Sequence, residues 1–120
     1  MKEIDVICNR TGGPIYRVLD DGRIVDFSGR SRGWLRGRYI HDYQGAQRGS
    51  YEAGLFRMDD GAVAGYGENP TGAHPALPTR SVKPPAGSVE PEPPRPVPAV
   101  AATTTAPAPV WSTTPLEDML

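Results

Sequence analysis

Residues 26–37 read DFSGRSRGWLRG, and residues 42–54 read DYQGAQRGSYEAG. Both stretches place an acidic residue and an aromatic residue shortly before one glycine, and both carry a second glycine four positions further on. The two stretches are offset by sixteen residues. A fixed short offset is typical of a repeat architecture, so each stretch is interpreted as a scaffold unit before any chemistry is assigned to it.

The sixteen-residue offset extends over the first 67 residues and aligns three columns. The predicted turn glycines are Gly13, Gly29, Gly45 and Gly61. A second column holds Gly33, Gly49 and Gly65, with Arg17 in the first copy. An apolar column holds Cys8, Ile24, Ile40 and Phe56. Twelve of these 67 residues are glycine, so four glycines in one preset phase arise by chance in about one trial in a thousand, and the repeat is accepted.

Each copy is too short for a pair of helices and has a turn signal at its centre, which predicts a β-hairpin. In the second copy, residues 23–27 and 30–35 are the predicted strands, with the turn at Ser28 and Gly29. In the third copy the turn falls at Gln44 and Gly45. We therefore predict an all-β domain of four hairpins arranged radially with pseudo-four-fold symmetry. The strand glycines are expected where backbones crowd near the axis.

Composition divides the chain near Gly67. Only one of its 14 prolines precedes residue 70, and proline at the density seen later favours extended polyproline II and prevents a packed core. The predicted organisation is a four-repeat β domain over residues 1–67, a disordered Pro/Ala/Thr-rich linker over residues 68–109, and a short docking motif over residues 110–120.

The docking motif is predicted from the last residues, VWSTTPLEDML. Thr114 is placed at a helix N-cap, Pro115 at the first helical position and Glu117 three residues after the cap, which is the pattern of a capping box. An apolar cluster at the end of a proline-rich tether is typical of a docking peptide. Its partner is left open between another protein, a neighbouring chain and its own domain, as is the oligomeric state. The predicted motif residues are Trp111, Ser112, Leu116, Glu117, Met119 and Leu120.

A second hypothesis concerns arginines concentrated in the two middle copies. Alternate strand residues share a face, and guanidinium groups suit phosphate or carboxylate. A phospholipid head group, a nucleotide or nucleic acid is therefore an alternative ligand, although nearby Asp residues offer competing ion pairs. The candidate anion-binding residues are Arg30, Arg32, Arg36, Arg38 and Arg48.

Other chemistry is disfavoured by the residue types. The single cysteine, Cys8, allows no intrachain disulfide and, with only one histidine in the domain, no ordinary zinc site. His41 and Asp42 are adjacent in a strand and should point to opposite faces, so they do not predict a catalytic dyad. Acidic pairs before glycine are explained by turns rather than by calcium. We expect a non-enzymatic protein without metal or cofactor.

Charge and hydropathy add two expectations. The first 67 residues hold ten basic and nine acidic residues, and the remainder holds three and five, so neither part predicts bulk attraction to nucleic acid or to a membrane. The N-terminus has no secretory apolar run and no segment has the length of a membrane helix. A cytoplasmic location is therefore expected.

The repeated pattern of DFSGRSRGWLRG and DYQGAQRGSY, with an aromatic residue following a strand glycine, resembles the four-fold β-flower proteins, a family of small bacterial domains of uncharacterised function. WSTTPLEDML is similar to the ending of that family, in which a Pro-rich segment precedes a WS motif and an acidic, apolar terminus. The resemblance implies four hairpin petals around an axis, and it brings no activity, cofactor or catalytic residue. Arg17 and Ser50 depart from the pattern, at a glycine and an aromatic position respectively.

Overall fold

In a computed structural model of the chain, residues 2–98 and 104–120 are described. Eight strands pair antiparallel in chain order, and the first pairs with the last through Cys8 and Tyr66 to close a barrel. The strands are β1 (Glu3–Cys8), β2 (Pro14–Leu19), β3 (Arg23–Asp26), β4 (Ser31–Arg36), β5 (Tyr39–His41), β6 (Gln47–Glu52), β7 (Leu55–Arg57) and β8 (Val63–Tyr66). The predicted all-β fold of four hairpins is confirmed, and the β1–β8 pair closes the ring of strands.

The four hairpin turns share one geometry. They span residues 9–13, 26–30, 42–46 and 58–62, and in each the first residue's N–H donates to the fifth residue's carbonyl. A glycine with φ between 85° and 93° occupies the fourth place, namely Gly12, Gly29, Gly45 or Gly61. Of the four predicted turn glycines, only the one in the first turn was wrong, because Gly12 and not Gly13 has the left-handed conformation. The first repeat step is seventeen residues, and the next two are sixteen.

The strand pairing shows that the first hairpin is shifted by one residue from its predicted alignment, as its turn is. The pairs Ile24 with Gly33, Ile40 with Gly49, and Phe56 with Gly65 are equivalent, and each is followed by a β-bulge. Their counterpart in the first hairpin pairs Ile7 with Tyr16. Ile7 thus replaces Cys8 in the predicted apolar column, and Tyr16 replaces Arg17 at the glycine position.

The core lies inside the barrel. Ile7, Ile24, Ile40 and Phe56 have no exposed surface and pack together in one cluster with Tyr16 and Val18. Burying each such side chain contributes about 1.5–3 kcal/mol. Two residues from the end of the chain, Leu116 and Met119, belong to the same cluster, so the barrel interior is completed by a segment distant in sequence.

The segment that follows β8 lies along the outside of the barrel. Its described residues have no regular secondary structure up to residue 110, as the proline content predicts. However, Ser81 N–H donates to the carbonyl of Gly12 at 2.8 Å, and Glu90 N–H donates to that of Gly29 at 2.9 Å. The expected disordered tether over residues 68–109 is not shown, because these main-chain groups find partners on the turns. Residues 99–103 of that linker lie outside the described residues, as does Met1 of the predicted domain.

Within residues 2–98 and 104–120, no helix has the length and apolar character needed to cross a membrane.

Candidate functional site: the C-terminal segment inside the barrel

The strand glycines create the space that the end of the chain fills. A β-carbon on Gly33 would lie 2.9 Å from a methyl group of Leu120, and one on Gly65 would lie 2.9 Å from a methyl group of Leu116. A β-carbon on Gly49 would collide with the terminal methyl group of Met119. Three apolar side chains of the docking motif are therefore matched one to one with three strand glycines.

The same glycines also lie close to the neighbouring strand. The nearest atom to a β-carbon on Gly33 is the carbonyl oxygen of His41 at 2.8 Å, and for Gly65 the carbonyl oxygen of Cys8 also lies at 2.8 Å. Glycine in a strand commonly marks such a close backbone approach. The predicted crowding of backbones is present, and the room left for the C-terminal side chains is its second consequence.

Bulge arginines bind the main chain of the segment. In β4 and β6 the bulge leaves Arg32 and Arg48 without a cross-strand partner, and bulges commonly redirect a side chain in this way. Arg32 Nη2 donates to the main-chain oxygen of Leu120 at 2.9 Å, and Arg48 Nε donates to that of Met119 at 2.9 Å. Two residues that were predicted to bind an anion therefore bind main-chain oxygens of the last two residues.

Tyr16 takes the fourth equivalent position. Its hydroxyl lies 3.4 Å from the main-chain oxygens of Leu116 and Glu117, where three other hairpins have glycine. Burial raises the pKa of the Tyr16 phenol, so the group is a neutral donor at ordinary pH. The break in the glycine column thus places a polar side chain against the first turn of the segment.

Trp111 begins the segment at the side of β8. It forms a parallel bridge with Val63, whose N–H donates to the carbonyl of Val110 at 2.8 Å and whose carbonyl accepts from the N–H of Ser112 at 2.8 Å. The indole ring meets the Tyr66 ring edge to face, with centroids 6.3 Å apart. The guanidinium of Arg10 lies 5.8 Å from the centroid of the Trp111 ring.

The helical turn differs from its prediction. A 3₁₀-helix spans Leu116–Asp118, and Pro115 stands at its N-cap with an extended backbone and no side-chain hydrogen bond. The prediction of a capping box with Thr114 as the N-cap was therefore wrong. The nearby side-chain hydrogen bond is a different one, in which the hydroxyl of the buried Ser112 accepts from the N–H of Thr114 at 3.0 Å. Glu117 instead accepts from the Asn9 side chain at 3.4 Å. Leu116, Met119 and Leu120, which were predicted to lie on one side of the turn, each approach a strand glycine of a different hairpin.

The remaining candidate arginines do not join Arg32 and Arg48. Arg38 forms an ion pair with Glu52 at 3.1 Å, and more than half of each side chain is exposed. Arg30 and Arg36 are exposed on the surface. Arg32 and Arg48 also lie 3.8 Å from carboxylate oxygens of the turns. A shared anion site stays a prediction, and two of its five members have another role.

His41 and Asp42 do not form a dyad. The His41 ring is buried and stacks on the Trp34 ring with centroids 4.9 Å apart. Asp42 accepts from the main-chain N–H groups of Gln44 and Ala46 in its own turn. Trp34 does not belong to the central apolar cluster. Its ring lies on the outer side of the barrel, where the Arg95 guanidinium is 5.5 Å from the ring centroid.

Among the described residues no group of three His, Cys, Asp or Glu side chains is arranged to hold a metal ion. Sequence reasoning missed Tyr16 and Asn9 as contacts of the segment. Tyr16 had a detectable signal, since it is the exception in the glycine column once the first repeat is counted as seventeen residues. Asn9 stands where the second and third turns have Asp and gave no separate signal.

Comparison with known proteins gives one result. No curated protein sequence and no solved structure matches the chain. The model of one family, described as the 4-fold beta flower protein, matches residues 6–120. The match includes the four hairpins, the proline-rich segment and the C-terminal residues inside the barrel. The chain belongs to the 4-fold beta flower family.

Proposed function

We propose that this protein is a non-enzymatic interaction protein whose barrel interior is a receptor for a C-terminal peptide. The chain's own residues 110–120 occupy that receptor as a latch, and a protein partner engages the barrel or the released peptide. One observation carries the proposal, namely the one-to-one match of Leu116, Met119 and Leu120 with strand glycines.

Recognition of the segment combines two familiar modes of peptide binding. Main-chain pairing of Val63 with residues 110 and 112 adds a short strand beside β8, and pockets for apolar side chains supply selectivity. Arg32 and Arg48 add charge-assisted hydrogen bonds to main-chain oxygens of Leu120 and Met119, which are stronger than neutral hydrogen bonds. These features support a site that recognises a particular peptide and not a general apolar surface.

A direct test uses a fluorescent peptide of residues 110–120 and the full-length chain. Binding measured by anisotropy should be saturable, and it should become tighter for a Leu120→Ala chain, whose own latch is weakened. A control peptide carrying Leu116→Asp and Met119→Asp should not bind. If the two peptides bind equally, or if neither binds to either chain, the proposal fails.

Partner binding is tested with the same reagents. Proteins captured by the full-length chain from cell extract should be displaced by excess of the natural peptide and retained in the presence of the control peptide. Displacement by both peptides, or by neither, would show that capture does not involve this site.

A further inference from the structure

The proline-rich segment crosses all four hairpin turns in the same way. A β-carbon added to any turn glycine would meet a main-chain oxygen of this segment at 2.9 Å or less. The pairs are Gly12 with Thr79, Gly29 with Ser88, Gly45 with Val97, and Gly61 with Ala106. The crossing residues are nine positions apart throughout, although no sequence motif of that length is evident.

Hydrogen bonds repeat with the same step. Two residues after a crossing, a main-chain N–H donates to the carbonyl of the turn glycine, as Glu90 does to Gly29 at 2.9 Å and Ala108 to Gly61 at 3.1 Å. Ser81 does the same to Gly12 at 2.8 Å. The turn glycines therefore have two functions: they adopt a left-handed conformation, and they let another main chain approach.

A second donor precedes the crossing at two turns. Gly87 N–H donates to the carbonyl of Phe27 at 2.7 Å, and Thr105 N–H donates to that of Asp59 at 2.8 Å. The corresponding positions at the other two turns are Pro78 and Pro96, which have no N–H. Proline is thus tolerated at this second position, and it is absent at Ser81, Glu90 and Ala108.

The nine-residue step fits the size of the barrel. Nine residues in polyproline II span about 28 Å at the ordinary rise of that conformation, which is about a quarter of the circumference of a disc 36 Å across. One step of the segment therefore carries the chain from one hairpin turn to the next.

From these contacts we infer that each hairpin turn is a binding station for an extended, proline-rich polypeptide. The station recognises the main chain, through the space above the turn glycine and its carbonyl oxygen. In this protein the occupants are the chain's own residues 79–98 and 104–108, whose crossings are nine residues apart. The stations lie outside the barrel and are separate from the interior site of residues 110–120, so they stand or fall independently of the proposed function.

Amide hydrogen exchange measured by NMR on the full-length chain tests the register. The amides of Ser81, Glu90 and Ala108 should exchange at least tenfold more slowly than that of Val82, a residue that is 94% exposed, after correction for intrinsic rates. Gly87 and Thr105 should be protected as well. If all five amides exchange as fast as that of Val82, the stations do not exist in solution.

Two glycine variants separate contact from backbone strain. Gly29→Ala places a methyl group against the segment, whereas Gly22→Ala has a similar φ of +87° but only an ordinary contact, 3.6 Å from Leu35 O. Gly29→Ala should abolish protection at Gly87 and Glu90 and preserve it at Ala108. Gly22→Ala should preserve all three. Equal exchange in the two variants would overturn the inference.

A second pair of variants changes only the segment, so that folding of the barrel is not at risk. Ser81→Pro removes the donor to Gly12, and Val82→Pro introduces the same ring one residue later. Ser81→Pro should increase the backbone mobility of residues 79–83 on the nanosecond timescale, measured by heteronuclear NOE, and Val82→Pro should not. The same mobility in both variants would refute a station at Gly12.

Discussion

The Met119 side chain occupies the space inside the barrel that a side chain at Gly49 would otherwise fill. Met119 has no exposed surface, and a β-carbon on Gly49 would collide with its terminal methyl group. The side chain missing from the strand is thus replaced by one that arrives from seventy residues further along the chain. The folded state therefore depends on the C-terminal segment as well as on the strands.

Truncating Met119 should destabilise the whole barrel. Met119→Ala leaves a cavity in the core cluster that Met119 shares with Ile7, Ile40 and Phe56, and substitutions of this kind cost about 2–5 kcal/mol. Urea denaturation followed by circular dichroism measures the loss. The control is Asp118→Ala, because Asp118 is exposed and such changes stay within about 0.5 kcal/mol. Equal midpoints for the two variants would contradict a core position for Met119.

Removing Arg48 should loosen the latch selectively. Arg48→Met deletes the hydrogen bond from Nε to the carbonyl of Met119, and a bond from a charged donor contributes about 1.5–3 kcal/mol. We expect the lower end of this range, since the Arg48 side chain is 42% exposed. Arg36→Met, at an exposed position, is the matched control. Denaturation midpoints and the exchange rate of the Met119 amide should change in the first variant only.

Alkaline pH should weaken the protein, most strongly through two tyrosines that donate to carboxylates. Tyr51 donates to Asp5 at 2.7 Å, and Tyr43 donates to Glu92 at 2.7 Å. Burial, followed by the carboxylate partner, raises the pKa of both phenols well above the ordinary value. The folded protein consequently retains protons that the unfolded chain releases above about pH 10, so the free energy of unfolding falls as pH rises from there.

Urea denaturation at pH 8, 9, 10 and 11 measures this decline. Tyr51→Phe should be less stable than the parent at pH 8, because the hydrogen bond to Asp5 is lost, and its stability should fall less steeply above pH 10. Parallel curves for the two proteins would show that Tyr51 does not contribute to the alkaline transition.

The Cys8 thiol should be unreactive in the folded protein. Cys8 has no exposed surface, and burial raises the pKa of its thiol; the reactive species is the thiolate. Ellman's reagent at pH 8 should therefore modify it slowly, with one equivalent reacting at once in 6 M guanidinium chloride. A fast reaction without denaturant would place Cys8 outside the core.

The sequence pattern predicted the hairpins well but misaligned the first of them. Gly12 and Gly13 are adjacent glycines, and Ile7 and Cys8 are adjacent apolar residues, so a sixteen-residue and a seventeen-residue step match almost equally well. The left-handed conformation of Gly12 and the bulge between Ile7 and Cys8 fix the register. A β-bulge is a feature of the backbone, and no residue type in the sequence marks its position.

The last eleven residues were singled out from sequence, but their place inside the barrel was not predicted. A strand glycine indicates missing volume, and nothing in its neighbours says what fills that volume. The contacts of the proline-rich segment were equally hidden, because Ser81 and Glu90 bind through main-chain N–H groups. Such hydrogen bonds are available to every residue except proline, so the sequence shows only where they are impossible.

The path of the segment begins and ends at one strand. The chain leaves β8 at Gly67 and returns beside Val63 of the same strand, where Trp111 forms its bridge. If the intervening contacts are lost, the C-terminal peptide remains tethered close to its own site. Such a tether maintains an effective local concentration that is about a millimolar for a short flexible linker and lower for a longer one. Under the proposed function, a competing peptide would have to bind much more tightly than residues 110–120 or be present at a comparable concentration, so the tether would make the barrel selective among peptides.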